Sequence, residues 1–214
     1  MPHDIQKSFS FIEYSSHLKA MDGFGFLAAF SALSRAALMG SSASGGLQHD
    51  GRWLIGGFLG ESIPILGSDE TRRGFGICVE YERPEPKFVF PKGVGDLVWE
   101  GYIESTYGGP DGGNRRDRLN ALGILAMARW RWHQSQRSLA FFTDLGWGFV
   151  IGNRTTVDLD SQVNSTPLLD FGIALGPRQR EWLVGLRFLH MSDAGLKGRN
   201  QGQNQVHLFV AKRY

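Results

Sequence analysis

The sequence predicts an all-β fold, an eight-stranded antiparallel up-and-down β-barrel, and three observations carry the prediction. From residue 50 onward the apolar residues recur with a period of 2, not 3.6, as they do in strands whose two faces meet different surroundings. Glycine supplies 29 of 214 residues, about 14 % and about double the usual share, and aromatic residues supply 12 %. Both suit twisted strands joined by short turns. The alternating segments also follow one another at hairpin spacing, with no internal repeat of 20–50 residues.

The segments run as follows. The first two span roughly 52–60 and 72–81. In the third, Leu97, Trp99, Gly101, Ile103 and Tyr107 oppose Asp96, Glu100 and Glu104. In the fourth, Leu122, Ile124, Ala126, Ala128, Trp130 and Trp132 oppose Gly123, Met127, Arg129 and Arg131. The fifth sets Leu139, Phe141, Thr143, Leu145, Trp147, Phe149 and Ile151 against Ser138, Ala140, Phe142, Asp144, Gly146 and Gly148. The sixth sets Pro167, Leu169, Phe171, Ile173 and Leu175 against Asp170, Gly172, Ala174 and Gly176. Trp182, Val184, Leu186 and Phe188 then face away from Glu181, Gly185 and Arg187, and Val206, Leu208, Val210 and Tyr214 from Gln205, His207 and Arg213. Turn signals separate them at Gly108–Asn114, Gly152-Asn153 and Gly176-Pro177.

Alternation alone leaves two barrels open, a soluble lipocalin-like binder and a membrane barrel. The polar face favours the membrane. It mixes small residues with charges of both signs, which suits a narrow lumen filled with ion pairs. The other face, rich in tryptophan, suits acyl tails with aromatic girdles near the interfaces. Closure removes every strand edge, as hydrocarbon requires. Tyr214 ends the last strand on an aromatic residue, as outer-membrane barrels commonly do.

Composition narrows the function. Lys+Arg 23 against Asp+Glu 21 leaves a net charge of +2, which gives no reason to expect a nucleic-acid partner. Cys78 is the single cysteine, so neither an internal disulfide nor a cysteine zinc site can form. The mean hydropathy of −0.21 argues against a helical membrane protein and leaves a membrane barrel untouched. There is no P-loop, dinucleotide fingerprint or His-rich metal motif, so no cofactor and no metal are expected. Residues 1–43 combine Lys19, an apolar run from Gly23 to Leu33 and a small-residue stretch from Gly40, the pattern of a secretory signal cleaved near Ala43. Asp4, Glu13, Asp22 and Arg35 depart from that pattern and leave an amphipathic helix or a misassigned start as alternatives. Residues 44–214 then form the barrel domain.

The candidate chemistry lies between residues 187 and 204. His190 and Ser192 are two apart on a strand and share a face with Trp182, Val184, Leu186 and Phe188. Asn204 shares the face of Val206, Leu208 and Val210, and the connection brings it beside His190. A polar trio on a greasy surface is costly, at about 1–3 kcal/mol for each unpaired group. One reading is a strand end where His and Ser simply meet water. The other is a Ser nucleophile, a His base and an orienting third group.

This stretch resembles the lipid A 3-O-deacylases of the PagL type, also called acyloxyacyl hydrolases. Their pattern, His-x-Ser-Asn-Ala-Gly followed by Asn-x-Gly-x-Glu or Asn, appears here as His190-Met191-Ser192-Asp193-Ala194-Gly195 and Asn200-Gln201-Gly202-Gln203-Asn204. The strands at 142–148 and 165–172 also fit, and the resemblance covers about 52–214. It implies an eight-stranded outer-membrane barrel with its active site on the outer wall. The implied activity is hydrolysis of the ester-linked 3-hydroxyacyl chain at position 3 of lipid A in lipopolysaccharide. Ser192 would be nucleophile, His190 general base and Asn204 the third member, with the Asn200 side chain and the Ala194 N–H at the oxyanion. Implied partners are lipopolysaccharide and outer-membrane lipid, with a homodimer left open. Two departures bear on activity. Asn204 stands where Glu is usual, and Asp193 replaces Asn. They keep alive a second expectation, a catalytically silent barrel of the OmpA/OmpW kind with a structural or adhesion role. Elsewhere, Arg115-Arg116-Asp117-Arg118 is a solvated loop or a contact to lipopolysaccharide phosphates, and His207 and Lys212 are lumen or rim residues.

Overall fold

In the computed structural model, residues 51–66, 68–90, 93–108, 118–132, 139–194 and 202–214 are described. Residues 1–43, with the expected export signal, lie outside them, as do Arg115, Arg116 and Asp117. The described residues form strands and turns without a helix: β1 Arg52–Ser62, β2 Arg72–Phe90, β3 Gly93–Gly108, β4 Arg118–Trp132, β5 Leu139–Gly152, β6 Val163–Ser165, β7 Leu168–Leu175, β8 Trp182–Met191 and β9 Gln203–Arg213. Every neighbouring pair is antiparallel. The order β4-β3-β2-β1-β9-β8-β7-β5 closes through a β4–β5 pairing.

The nine labels describe eight staves. β6 and β7 pair with β5 in one unbroken register, Phe149 with Ser165 and Gly146 with Leu168. Gly148 and Thr166 exchange both backbone hydrogen bonds between those points. The interruption comes at Pro167, which has no N–H to donate. The expected sixth segment thus begins four residues earlier, at Val163. The second segment is also longer than expected. β2 runs to Phe90 and, beyond a register shift between Pro84 and Val89, continues to pair with β3.

The two faces separate as the alternation requires. On the outside, Leu59 is 60 % exposed, Ile124 62 % and Leu145 58 %. Such exposure, repeated around the wall, suits a surrounding of acyl tails and would be a liability in water. The inward-facing residues that alternate with them are buried. Arg129 donates to both oxygens of Asp144 at 2.8 and 2.7 Å and to Glu80 at 2.8 Å. Arg131 reaches Glu82 and Glu181 at 2.9 and 2.6 Å. Arg213 meets the same two acids. His207 is in the lumen, 3.3 Å from Glu104, whereas Lys212 lies outside at the rim over the Trp182 and Tyr214 rings.

One expectation about the lumen needs correction. It is not filled by small and charged residues alone, since Leu54, Phe58, Tyr102, Leu125, Phe142 and Phe209 are also buried there. Glycines on facing strands make the room. A Cβ on Gly76 would lie 2.2 Å from the Phe58 ring, and one on Gly123 would lie 2.1 Å from the Tyr102 ring. The aromatic residues then receive the cations, with the Arg187 guanidinium 4.5 Å from the Phe209 ring centre.

Candidate active site on the outer wall

The site sits where β8 ends and β9 begins. Cross-strand register makes His190 and Asn204 direct partners. Both belong to the outward parity, as does Ser192, and the His190 and Ser192 side chains are half-buried. His190 Nδ1 and Asn204 Oδ1 are 2.8 Å apart. Asn204 is fully buried despite facing outward, because the chain following β1 lies over it. Ile63 N–H donates to the Asn204 carbonyl at 2.9 Å, and Asn204 Nδ2 donates to the Ile65 carbonyl at 2.6 Å.

That last contact decides the chemistry of the imidazole. With its NH2 committed to Ile65, the amide shows only its oxygen to His190. In a neutral ring, Oδ1 then accepts from Nδ1–H and the lone pair falls on Nε2. This is the tautomer a general base needs.

Ser192 continues the stave beyond β8 and exchanges backbone hydrogen bonds with Ser165, at 2.7 and 3.0 Å. Its carbonyl also accepts from Ser165 Oγ at 3.0 Å. The backbone beneath the hydroxyl is therefore held by three hydrogen bonds, all to Ser165. The described hydrogen bond of the His190 ring goes to Asn204, and the Ser192 hydroxyl is not bonded to it here. Catalytic bonds of this kind often tighten only when substrate is present. Asp193 has the opposite parity and is buried away from the outer face. Ala194 adopts φ +58°, a left-handed conformation uncommon outside glycine and often retained at functional sites. Asn200 lies outside the described residues.

Gly202 belongs to the motif, and the structure supplies its reason. Its φ is +74°, and a Cβ there would lie 2.5 Å from His190 Cε1. The Ile65 carbonyl has no signal in the sequence, since any residue provides one and the contact spans 139 positions. Arg118 lies at the same end of the barrel as the site, on the outer face, with its guanidinium 5.5 Å from the Tyr107 ring centre.

A closed antiparallel barrel with an apolar exterior and a lumen crossed by ion pairs has the architecture of an outer-membrane barrel, and the polar trio lies on its outward parity. The family model described as lipid A 3-O-deacylase (PagL) matches residues 74–213, and the chain belongs to that family. Among solved structures, the outer membrane enzyme PagL is similar at a TM-score of 0.62 and 19 % identity, over 74 % of this chain and 97 % of that one. Neisserial surface protein A is similar at a TM-score of 0.53 and 11 % identity, over 76 % of this chain and 95 % of that one. No curated protein matches the sequence.

Proposed function

We propose that this chain is a lipid A 3-O-deacylase of the outer membrane that works through a Ser192–His190 pair oriented by Asn204. The observation that carries the reading is the 2.8 Å contact between His190 Nδ1 and Asn204 Oδ1 on the lipid-facing wall. A base prepared there serves a substrate that arrives from the side, as a lipid does. Residues 1–43 supply the export signal that this location needs.

In the first half-reaction, Ser192 Oγ attacks the ester carbonyl at position 3 and His190 Nε2 takes its proton. Negative charge gathers on the carbonyl oxygen, where the Ala194 N–H and the Asn200 side chain are assigned to receive it. The C–O bond to the sugar breaks, and the leaving sugar oxygen takes the proton back from His190. Water, deprotonated by the same nitrogen, then attacks the acyl-serine and releases a 3-hydroxy fatty acid. The imidazolium formed in each half-reaction keeps its Nδ1–H bond to Asn204. An amide supports that cation less strongly than the carboxylate usual in the family.

The direct test incubates lipopolysaccharide with the purified wild type and with Ser192→Ala in detergent. Mass spectrometry of lipid A should show loss of one 3-hydroxyacyl chain with the wild type alone. No loss with the wild type would overturn the reading and leave the silent barrel.

A further inference from the structure

A carboxylate at position 204 would offer His190 an acceptor whichever oxygen faced it. Asn204 does so only one way round. Turned over, its oxygen would oppose the Ile65 carbonyl, acceptor against acceptor. Its NH2 would then face Nδ1, which would become the acceptor and leave the proton on Nε2, where a base cannot have it. The amide variant of this site therefore makes a backbone carbonyl part of the machinery, and whatever holds that carbonyl controls the tautomer.

Asp158 is one of the side chains that anchor the segment carrying Ile65, beside Ser62, whose Oγ donates to the Glu70 carbonyl at 2.9 Å. Asp158, in the β5–β6 connection, is fully buried. Its carboxylate accepts from Ser68 Oγ at 2.6 Å and from the Asp69 and Glu70 N–H groups, both at 2.9 Å. Ser68 N–H donates in turn to the Ile65 carbonyl at 3.1 Å, so both lone pairs of that oxygen are engaged, one by Ser68 and one by Asn204. Between them Leu66 takes φ +53°. A leucine held in the left-handed region needs support from its surroundings. The other end of Asp158 also reaches the site. Its carbonyl accepts from Gly202 N–H at 3.1 Å, and Gly202 lies against the His190 ring.

We infer that Asp158 is a positioning residue. By clamping residues 68–70 it holds the Ile65 carbonyl in place, and that carbonyl holds the Asn204 amide in the orientation that leaves His190 Nε2 basic. The inference rests on the proposed function and assigns the third member of its site a support that a glutamate would not need.

The experiment reads tautomer and turnover separately. Histidine-labelled ¹⁵N protein in detergent micelles reports the His190 ring, its signals identified by their loss in His190→Gln. The wild type should show protonated Nδ1 and a lone-pair Nε2. Asp158→Ala should shift signal toward protonated Nε2 and lower kcat at least about 10-fold, a part of the roughly 10²–10⁴ that a general base supplies, with KM nearly unchanged. Repeated in an Asn204→Glu chain, the same substitution should cost less than about 3-fold, because either carboxylate oxygen can accept. An unchanged tautomer in Asp158→Ala, or an equal loss in both backgrounds, would overturn the inference and leave Asp158 a purely structural clamp. If Asp158→Ala does not yield folded barrel, Asp158→Asn is measured in the same two backgrounds, and the same outcomes support or overturn the inference. A wild type that removes no acyl chain would defeat the proposed function, while the tautomer comparison would still decide this point.

Discussion

Two polar assemblies hang on opposite faces of β8, and they solve the problem of polarity in an apolar setting differently. Inward, Arg187 donates to both oxygens of Glu100 at 2.7 Å each and to Asp170 at 2.9 Å, while its flat face lies on Phe209. Charge meets charge, and each guanidinium nitrogen has a carboxylate partner. Outward, three residues further along, His190 holds one partner on one nitrogen. On the proposed function, the other nitrogen and the neighbouring hydroxyl are what an incoming lipid meets. The groups around Arg187 satisfy one another and become structure, although other buried lumen atoms, such as those of the Gln205 amide, have no hydrogen-bond partner among the described residues. The outer trio leaves some of its hydrogen-bonding capacity open to the membrane, and that open capacity is what can react.

The contrast is tested most strongly at Ser192. Ser192→Ala should lower deacylation at least about 10⁴-fold, the scale on which a nucleophile acts in such triads. Its unfolding midpoint in urea should match that of the wild type, because only a half-buried hydroxyl is lost. A comparable loss of stability would make Ser192 a structural residue and erase the distinction between the two faces.

Arg129 is the converse. It joins Asp144, Glu80 and Glu82 across the lumen. Arg129→Ala would leave Asp144 and Glu80 without their cation, while Glu82 keeps Arg131 and Arg213, and breaking a buried pair on one side typically costs about 3–5 kcal/mol. Urea unfolding should show that loss, and activity per folded molecule should survive. If folded Arg129→Ala were inactive, the lumen would be part of the site after all.

Gly202→Ala probes the seam between the two regimes. The new methyl would enter the space of His190 Cε1, at 2.5 Å, on a backbone of φ +74°. The ring must turn or the loop must move, and either loosens the bond to Asn204. A fall in kcat of about 10–100-fold is expected, in the range by which small misplacements near a reacting centre are felt. Stability should fall by about 1 kcal/mol, as for alanine at a strained glycine. Wild-type kcat in this variant would show that the ring position is not critical.

What is legible in the sequence follows from what each residue meets. Wall parity can be read because every strand separates two media, so that Trp99 and Glu100 have to face opposite ways. His190, Ser192 and Asn204 share a face for the same reason. The lumen aromatics are less legible. Phe58 and Tyr102 fit only because Gly76 and Gly123 stand across from them, and that is a fact of register between strands. The β2–β3 extension is hidden by Pro84 and Pro86, which read as a break in pairing. Val163–Ser165 is too short for a period. Ile65 and Asp158 leave no trace at all, since they lie in connections whose contacts obey no periodicity.

The smallest effect should come from the lipid-facing wall itself. Leu145 and Phe142 lie on β5, one outside and 58 % exposed, the other in the lumen and 1 % exposed. Phe142→Ala would leave a hole lined by protein, beside the Arg129 guanidinium that lies 5.6 Å from the ring centre. Such truncations cost about 3–5 kcal/mol because the surroundings only partly collapse. Leu145→Ala opens onto acyl chains, which are fluid and fill the space. What remains is a small loss of dispersion contact, below about 1 kcal/mol. Urea unfolding in lipid vesicles would rank the two. In lipid-free aqueous solution there would be no such fluid neighbour, and Leu145→Ala would if anything remove an exposed apolar group. An equal cost for both variants in vesicles would mean that the outer wall is packed against protein, and the sideways entry of a lipid to His190 would lose its physical basis.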